Sequence, residues 1–202
     1  ASPKRGKPLE AKSSRRGKTT VRTSPKRDAQ RDSFDFRDLL YRPTLQVIQP
    51  QLLPDWSCIH VLDQRNEGAC TGFGLAALIN YQSARAGIRG RVSARMLFEM
   101  AKRYDQWRGH GYDYSSARGA MKGWHKHGVC SETKWPNHPP KSRNVLTWER
   151  QEDALQHVLG SYYRILPRRN DVHAALTEVE VVYAAADTHA GWDNVGSDGV
   201  IP

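Results

Sequence analysis

The chain has 202 residues, with 31 Lys and Arg against 21 Asp and Glu, a formal charge of +10. Its mean hydropathy is −0.72. That length supports one domain with a core plus a tail, and the low hydropathy marks part of it as unpacked. No apolar run reaches the length that spans a bilayer, and no apolar leader opens the chain. The three cysteines, Cys58, Cys70 and Cys130, show neither metal-ligand spacing nor a dense framework. They fit a reducing compartment, expected to be the cytoplasm, with at most one bridge, Cys58–Cys130.

Residues 1–33 form a basic arm. Eleven Lys and Arg side chains face only Glu10, Asp28 and Asp32. Apolar residues are too sparse to offset backbone ordering, so the arm is expected to be disordered. Its composition is compatible with phosphate binding to nucleic acid, docking on an acidic partner, a transit-type or otherwise removable extension, or a solvated tail. Arg15, Arg16, Lys26 and Arg27 would be accessible cut sites in such a segment. No aromatic residue is interleaved with the early charges, so nothing in the arm would stack on bases.

From Phe34 the chain becomes apolar, punctuated by Pro43, Pro50 and Pro54. Prolines at this density forbid a long helix and predict extended chain and turns. Then comes DQRNEGACTGFGLAALINY, from Asp63 to Tyr81. A polar turn leads to a cysteine and then to a proline-free run of small and apolar residues. The pattern predicts a helix from Cys70 to about Ala86, apolar on more than one face and therefore central. Gly87 and Gly90 end it. A thiol at a helix N-terminus meets unpaired backbone N–H groups and the positive end of the dipole, which favour the nucleophilic thiolate. Gln64 precedes it by six residues. The Gln64 amide and the Cys70 N–H are two candidate donors to an oxyanion on a carbonyl attacked by Cys70.

Three further helices follow. Ser93 caps one over about 94–104, with Met96, Leu97, Met100 and Tyr104 as core. Ser115 or Ser116 caps a second that ends at Gly128. Thr147 caps a third through about Leu159. Residues 137–146 read as a linker. Tyr162 to Leu166 and Glu180 to Ala186 read as strands, separated by a short helix capped by Asp171. His125 and His127 are two apart, on different helix faces, so a shared metal is not expected. No zinc cluster, nucleophile elbow or phosphate-binding glycine loop is present.

Gln64, Gly68, Cys70 and Phe73 follow the order Gln-x-x-x-Gly-x-Cys-x-x-Phe, and here the chain resembles the papain-like cysteine peptidases of the C1 type. GACTGF looks more like the bacterial branch. Glu132, Trp135 and Pro136 match a later Glu and aromatic-Pro turn of the same family. Two positions depart from the plant and lysosomal members: Glu67 stands where they carry a disulfide cysteine, and Thr71 where they carry Trp. The resemblance implies an α+β fold, with a helical half over about 34–146 and the start of a barrel-like half over about 147–202, together making one peptidase domain over 34–202.

It also implies peptide or protein substrates, an acyl-enzyme on Cys70, no cofactor and no metal. The family's base histidine opens a Gly-His-Ala strand, followed later by Asn-Ser-Trp, and neither motif is present. His189, 119 residues after Cys70, is the candidate by spacing. The other expectation is a histidine on a continuation or a second chain. The competing class is a catalytically incomplete scaffold that binds nucleic acid or an acidic protein through its arm. Gln64 and Cys70 together argue against it, and the missing histidine motif argues for it.

Overall fold

The computed structural model describes residues 29–44, 47–105, 114–140 and 144–202. The roles weighed for residues 1–28 lie outside the described residues.

Five helices organise the described residues: α1 Cys70–Arg85, α2 Ala94–Tyr104, α3 Ala117–His127, α4 Trp148–Ala154 and α5 Arg169–Val179. Short 3-10 turns occupy Trp56–Cys58 and Ala190–Asp193. None of these helices is long and apolar enough to cross a membrane.

The helix starts follow local chemistry. The hydroxyl of Ser93 accepts from the Met96 N–H, that of Ser116 from Gly119 and that of Thr147 from Arg150, each satisfying an orphan donor of the first turn. Of the two serines weighed for α3, Ser116 is the cap. α5 starts ahead of the expected Asp171: Arg168 is its N-cap, with no side-chain bond, and Asp171 sits in the first turn, where its charge suits the dipole. α4 stops at Ala154, short of the expected Leu159. The His157 carbonyl beyond it accepts from the Val129 N–H and from Trp124 Nε1. Bonds to α3 and its C-terminal turn thus replace further helix.

α1 is buried on several sides, through Thr71, Gly72, Phe73, Leu75, Ala76, Ile79 and Asn80. It packs on α2, which in turn packs on α3, around Leu97, Phe98, Ala101, Ala120, Trp124 and Val129. Glycines set the spacing. A Cβ on Gly72 would lie 2.6 Å from the Ala94 carbonyl and from Phe98, and one on Gly123 would lie 2.7 Å from the Met100 Cβ. A second cluster joins Met96, Met100, Cys130, Trp135 and Ala154, tying the turn at 130–135 and α4 to the outer side of α2.

The two expected strands do not form. Residues 162–166 contribute one parallel bridge, Leu40 with Arg164. Residues 181–189 form no regular secondary structure and no ladder. Strand-like sequence becomes a strand only beside a partner with matching donors and acceptors. Tyr183 instead docks singly, its hydroxyl donating to the Thr71 carbonyl at 2.8 Å. Among the described residues only three isolated bridges exist, so the observed architecture is the helical half.

Residues 29–33, expected as the end of a disordered arm, run against the body as part of a polar strap. The Gln30 N–H donates to the Ser115 carbonyl at 3.0 Å, and Asp32 accepts from the Arg118 N–H. Asp38 then takes Arg118 and Arg164 together, at 2.6 and 3.0 Å. Burial pushes the Asp38 carboxyl up, but the bonds from Arg118 and Arg164 outweigh it and hold the group below its ordinary range. The expectation rested on apolar content; hydrogen bonds to Ser115 and Arg118 and the Arg31–Asp187 ion pair hold these residues instead. All three cysteines are free thiols, so the Cys58–Cys130 bridge is not formed.

Candidate active site

The loop ahead of α1 is a tight turn. Asp63 Oδ1 accepts from the Arg65 N–H at 2.7 Å, and Arg65 adopts the left-handed region at φ 55°. The Gln64 side chain folds back so that its Nε2 donates to the Glu67 carbonyl at 2.9 Å. Gly68 and Ala69 are buried beneath the turn, and the Ala69 carbonyl accepts the first helical bond, from Phe73. Cys70 is the first residue of α1 and half-buried. Ala69, its N-cap, supplies no side-chain acceptor, so side-chain capping does not offset the positive end of the dipole beside the thiol.

Tyr183 closes the other flank. Its ring lies over Gly74, its hydroxyl is bonded to the residue after Cys70, and burial raises the phenol, with Cys70 and Asp32 adding in the same direction. Behind Cys70, the Thr71 hydroxyl and the Ser115 hydroxyl are hydrogen-bonded to each other in a buried position.

His189 sits on an exposed part of the chain. Its Nδ1 accepts from the Gly191 N–H at 3.2 Å, capping the short 3-10 turn there. Cys130, by contrast with Cys70, is fully buried, and burial pushes its thiol up to about 11. Among the described residues, no group of three or more His, Cys, Asp or Glu side chains could hold a metal ion. His125 and His127 bond separately, to the Leu159 and Gly160 carbonyls and to the Tyr104 hydroxyl.

Several residues around the turn had no role in the sequence. His138 Nε2 lies 2.9 Å from the Asp63 carbonyl, which can only accept, so Nε2 carries the proton. The ring packs on Phe73 at 5.7 Å between centroids. Arg95 on α2 pairs with the Glu67 carboxylate. The one signal for Arg95 was its place in the run Ala94–Arg95–Met96–Leu97–Phe98, where a charge interrupts apolar neighbours. Nothing local pointed to Tyr183 or His138.

No family model and no curated protein sequence matches the chain. Two solved structures do. One is xylellain, a cysteine protease from Xylella fastidiosa, at 24% identity and TM-score 0.61, covering 78% of this chain and 66% of that one. The other is digestive procathepsin L 3 of Tenebrio molitor larval midgut, at 18% identity and TM-score 0.55, covering 70% of this chain and 45% of that one. The chain thus spans just under two thirds of the first structure and under half of the second. Both are papain-like in fold, and the chain carries the helical half of the papain-like fold, with α1 as its central helix.

Proposed function

We propose that the protein is a papain-like cysteine peptidase of the bacterial type in which Cys70 is the nucleophile. The observation that carries this reading is the placement of Cys70. It is the first residue of a central helix, half-buried, directly after a turn that fixes the Gln64 amide. Thiolate attack on a peptide carbonyl forms a C–S bond and pushes the carbonyl electrons onto oxygen. The Gln64 amide and the Cys70 backbone N–H receive that charge. Collapse expels the amine, and water then releases the acid from the thioester. An imidazole that protonates the amine and activates the water comes, in this reading, from outside residues 1–202. The engagement of His189 Nδ1 in its own turn supports that.

The test is the pH-rate profile of iodoacetamide alkylation at Cys70, with Cys70→Ser as background. It is run on this chain and on the longest natural product containing it. An apparent pKa well below the free-cysteine value of about 8.5 is expected, lower in the longer product. Slow, unshifted labelling in both contradicts the reading.

A further inference from the structure

Burying a guanidinium is costly unless every direction it faces offers an acceptor. The Arg95 side chain is 7% exposed, and its fork is answered from three sides. Nη2 pairs with the Glu67 carboxylate, Nε donates to the Asn137 carbonyl at 3.2 Å, and Nη1 faces Glu99 Oε1 at 3.5 Å. The Phe98 ring lies 5.9 Å below. Asn137 is fixed in turn, its Oδ1 accepting from the Ala94 N–H at 2.8 Å and its Nδ2 donating to Glu132 at 2.9 Å. Arg95 therefore stands on a rigid base at the start of α2, with one arm held out to the turn that carries Gln64.

Glu67 is the contact residue on that turn, and it acts at both ends. Its carboxylate takes Arg95, while its carbonyl takes the Gln64 amide. We infer that Arg95 is a positioning residue for the oxyanion donor: through Glu67 it fixes where the Gln64 amide points. This rests on the peptidase reading of Cys70 and Gln64. Arg95 itself touches neither the thiol nor the substrate. Because Glu67 follows Gln64 by only three residues, a shift of its backbone moves the carbonyl on which the amide rests. A donor misplaced by an ångström loses much of its effect on a developing oxyanion.

Two reactions of Cys70 separate this role from general damage. Alkylation by iodoacetamide displaces iodide at a saturated carbon and generates no oxyanion. Acylation by p-nitrophenyl acetate forms a C–S bond through an oxyanion and expels p-nitrophenolate, which needs no proton from a general acid. Both are run in single turnover on the full chain, with Cys70→Ser as background.

Arg95→Met and Glu67→Ala are expected to slow acylation roughly 10- to 100-fold while alkylation stays within about twofold. Arg95→Lys, which keeps the charge without the fork, is expected to recover part of the loss. Combining Arg95→Met with Gln64→Ala is expected to cost no more than Gln64→Ala alone, since both act on one donor. Glu67→Ala leaves the buried Arg95 its Glu99 and Asn137 partners, so it reads the tether even if Arg95→Met does not fold. Acylation unchanged in Glu67→Ala, equal loss of alkylation and acylation, or a multiplicative loss in the double variant would each overturn the inference. Equal acylation of wild type and Cys70→Ser would overturn the peptidase reading and this inference with it.

Discussion

At the residue scale, the chemistry divides the three thiols by environment. Cys130 is enclosed, and its thiol stays protonated far above neutrality. Cys70 sits at a helix start beside a half-open turn. Native-state labelling at pH 7–8 followed by peptide mapping is expected to modify Cys70 and leave Cys130 untouched until the protein unfolds. Early modification of Cys130 would contradict the core described here. Gln64→Ala is expected to slow acylation of Cys70 by roughly 10²- to 10³-fold, the usual cost of one oxyanion donor, with alkylation unchanged.

The placement of Cys70 at a helix start, with Gln64 in the turn before it, was legible because a polar turn followed by a proline-free apolar run is a local pattern. Glu67 was legible only as the loss of a cysteine. Its meaning depends on Arg95, 28 residues away on another helix, and no local pattern reports that pairing. His138 and Tyr183 reach the site from 68 and 113 residues beyond Cys70 and were invisible for the same reason.

At the scale of elements, helix starts were readable and helix ends less so. Ser93, Ser116 and Thr147 cap through their own side chains, so the sequence states them. α4 ends where the His157 carbonyl is claimed by α3 and the residue after its C-terminal turn, a tertiary event. The two strands failed because alternation describes a face, whereas a strand also requires a neighbour.

Helix packing gives a paired prediction about glycine. Gly72 has no room for a methyl group, with backbone and Phe98 at 2.6 Å, whereas at Gly74 the nearest contact is the Tyr183 ring at an ordinary 3.5 Å. Gly72→Ala is expected to destabilise the fold by about 1–3 kcal/mol through forced separation of α1 and α2. Gly74→Ala is expected to stabilise it by about 0.5–1 kcal/mol through helix propensity. Urea midpoints of the two variants check the pair, and matching signs would contradict the packing.

At the scale of the whole molecule, ion pairs carry contacts that a small core does not. The strap over residues 29–44 exposes Phe34 and Phe36 and is held through Asp38 by Arg118 and Arg164. The folded-state pKa of Asp38 lies below its unfolded value of about 3.9. Its contribution is therefore complete above that value and is lost as pH falls through the folded pKa. Asp38→Asn is expected to cost about 1–2 kcal/mol at neutral pH. The difference from wild type should shrink as pH falls through the folded pKa of Asp38. Urea unfolding over a series of falling pH from 7 checks both points, and a difference that does not shrink on acidification would contradict the assignment.

The individual helices were legible at this scale from periodicity and small-residue spacing, and their assembly into a helical half only through the family resemblance. The strap was not, since its attachment lies in charges whose partners are 80 and 126 residues distant.

The most direct measurement is trapping of the acyl-enzyme. The chain is mixed with an activated peptide ester, quenched in acid and mapped by mass spectrometry. A thioester adduct on Cys70, absent in Cys70→Ser and strongly diminished in Gln64→Ala, is the expected result. No adduct on Cys70, or adducts spread equally over Cys58 and Cys70 and indifferent to Gln64, would contradict a nucleophile served by an oxyanion site.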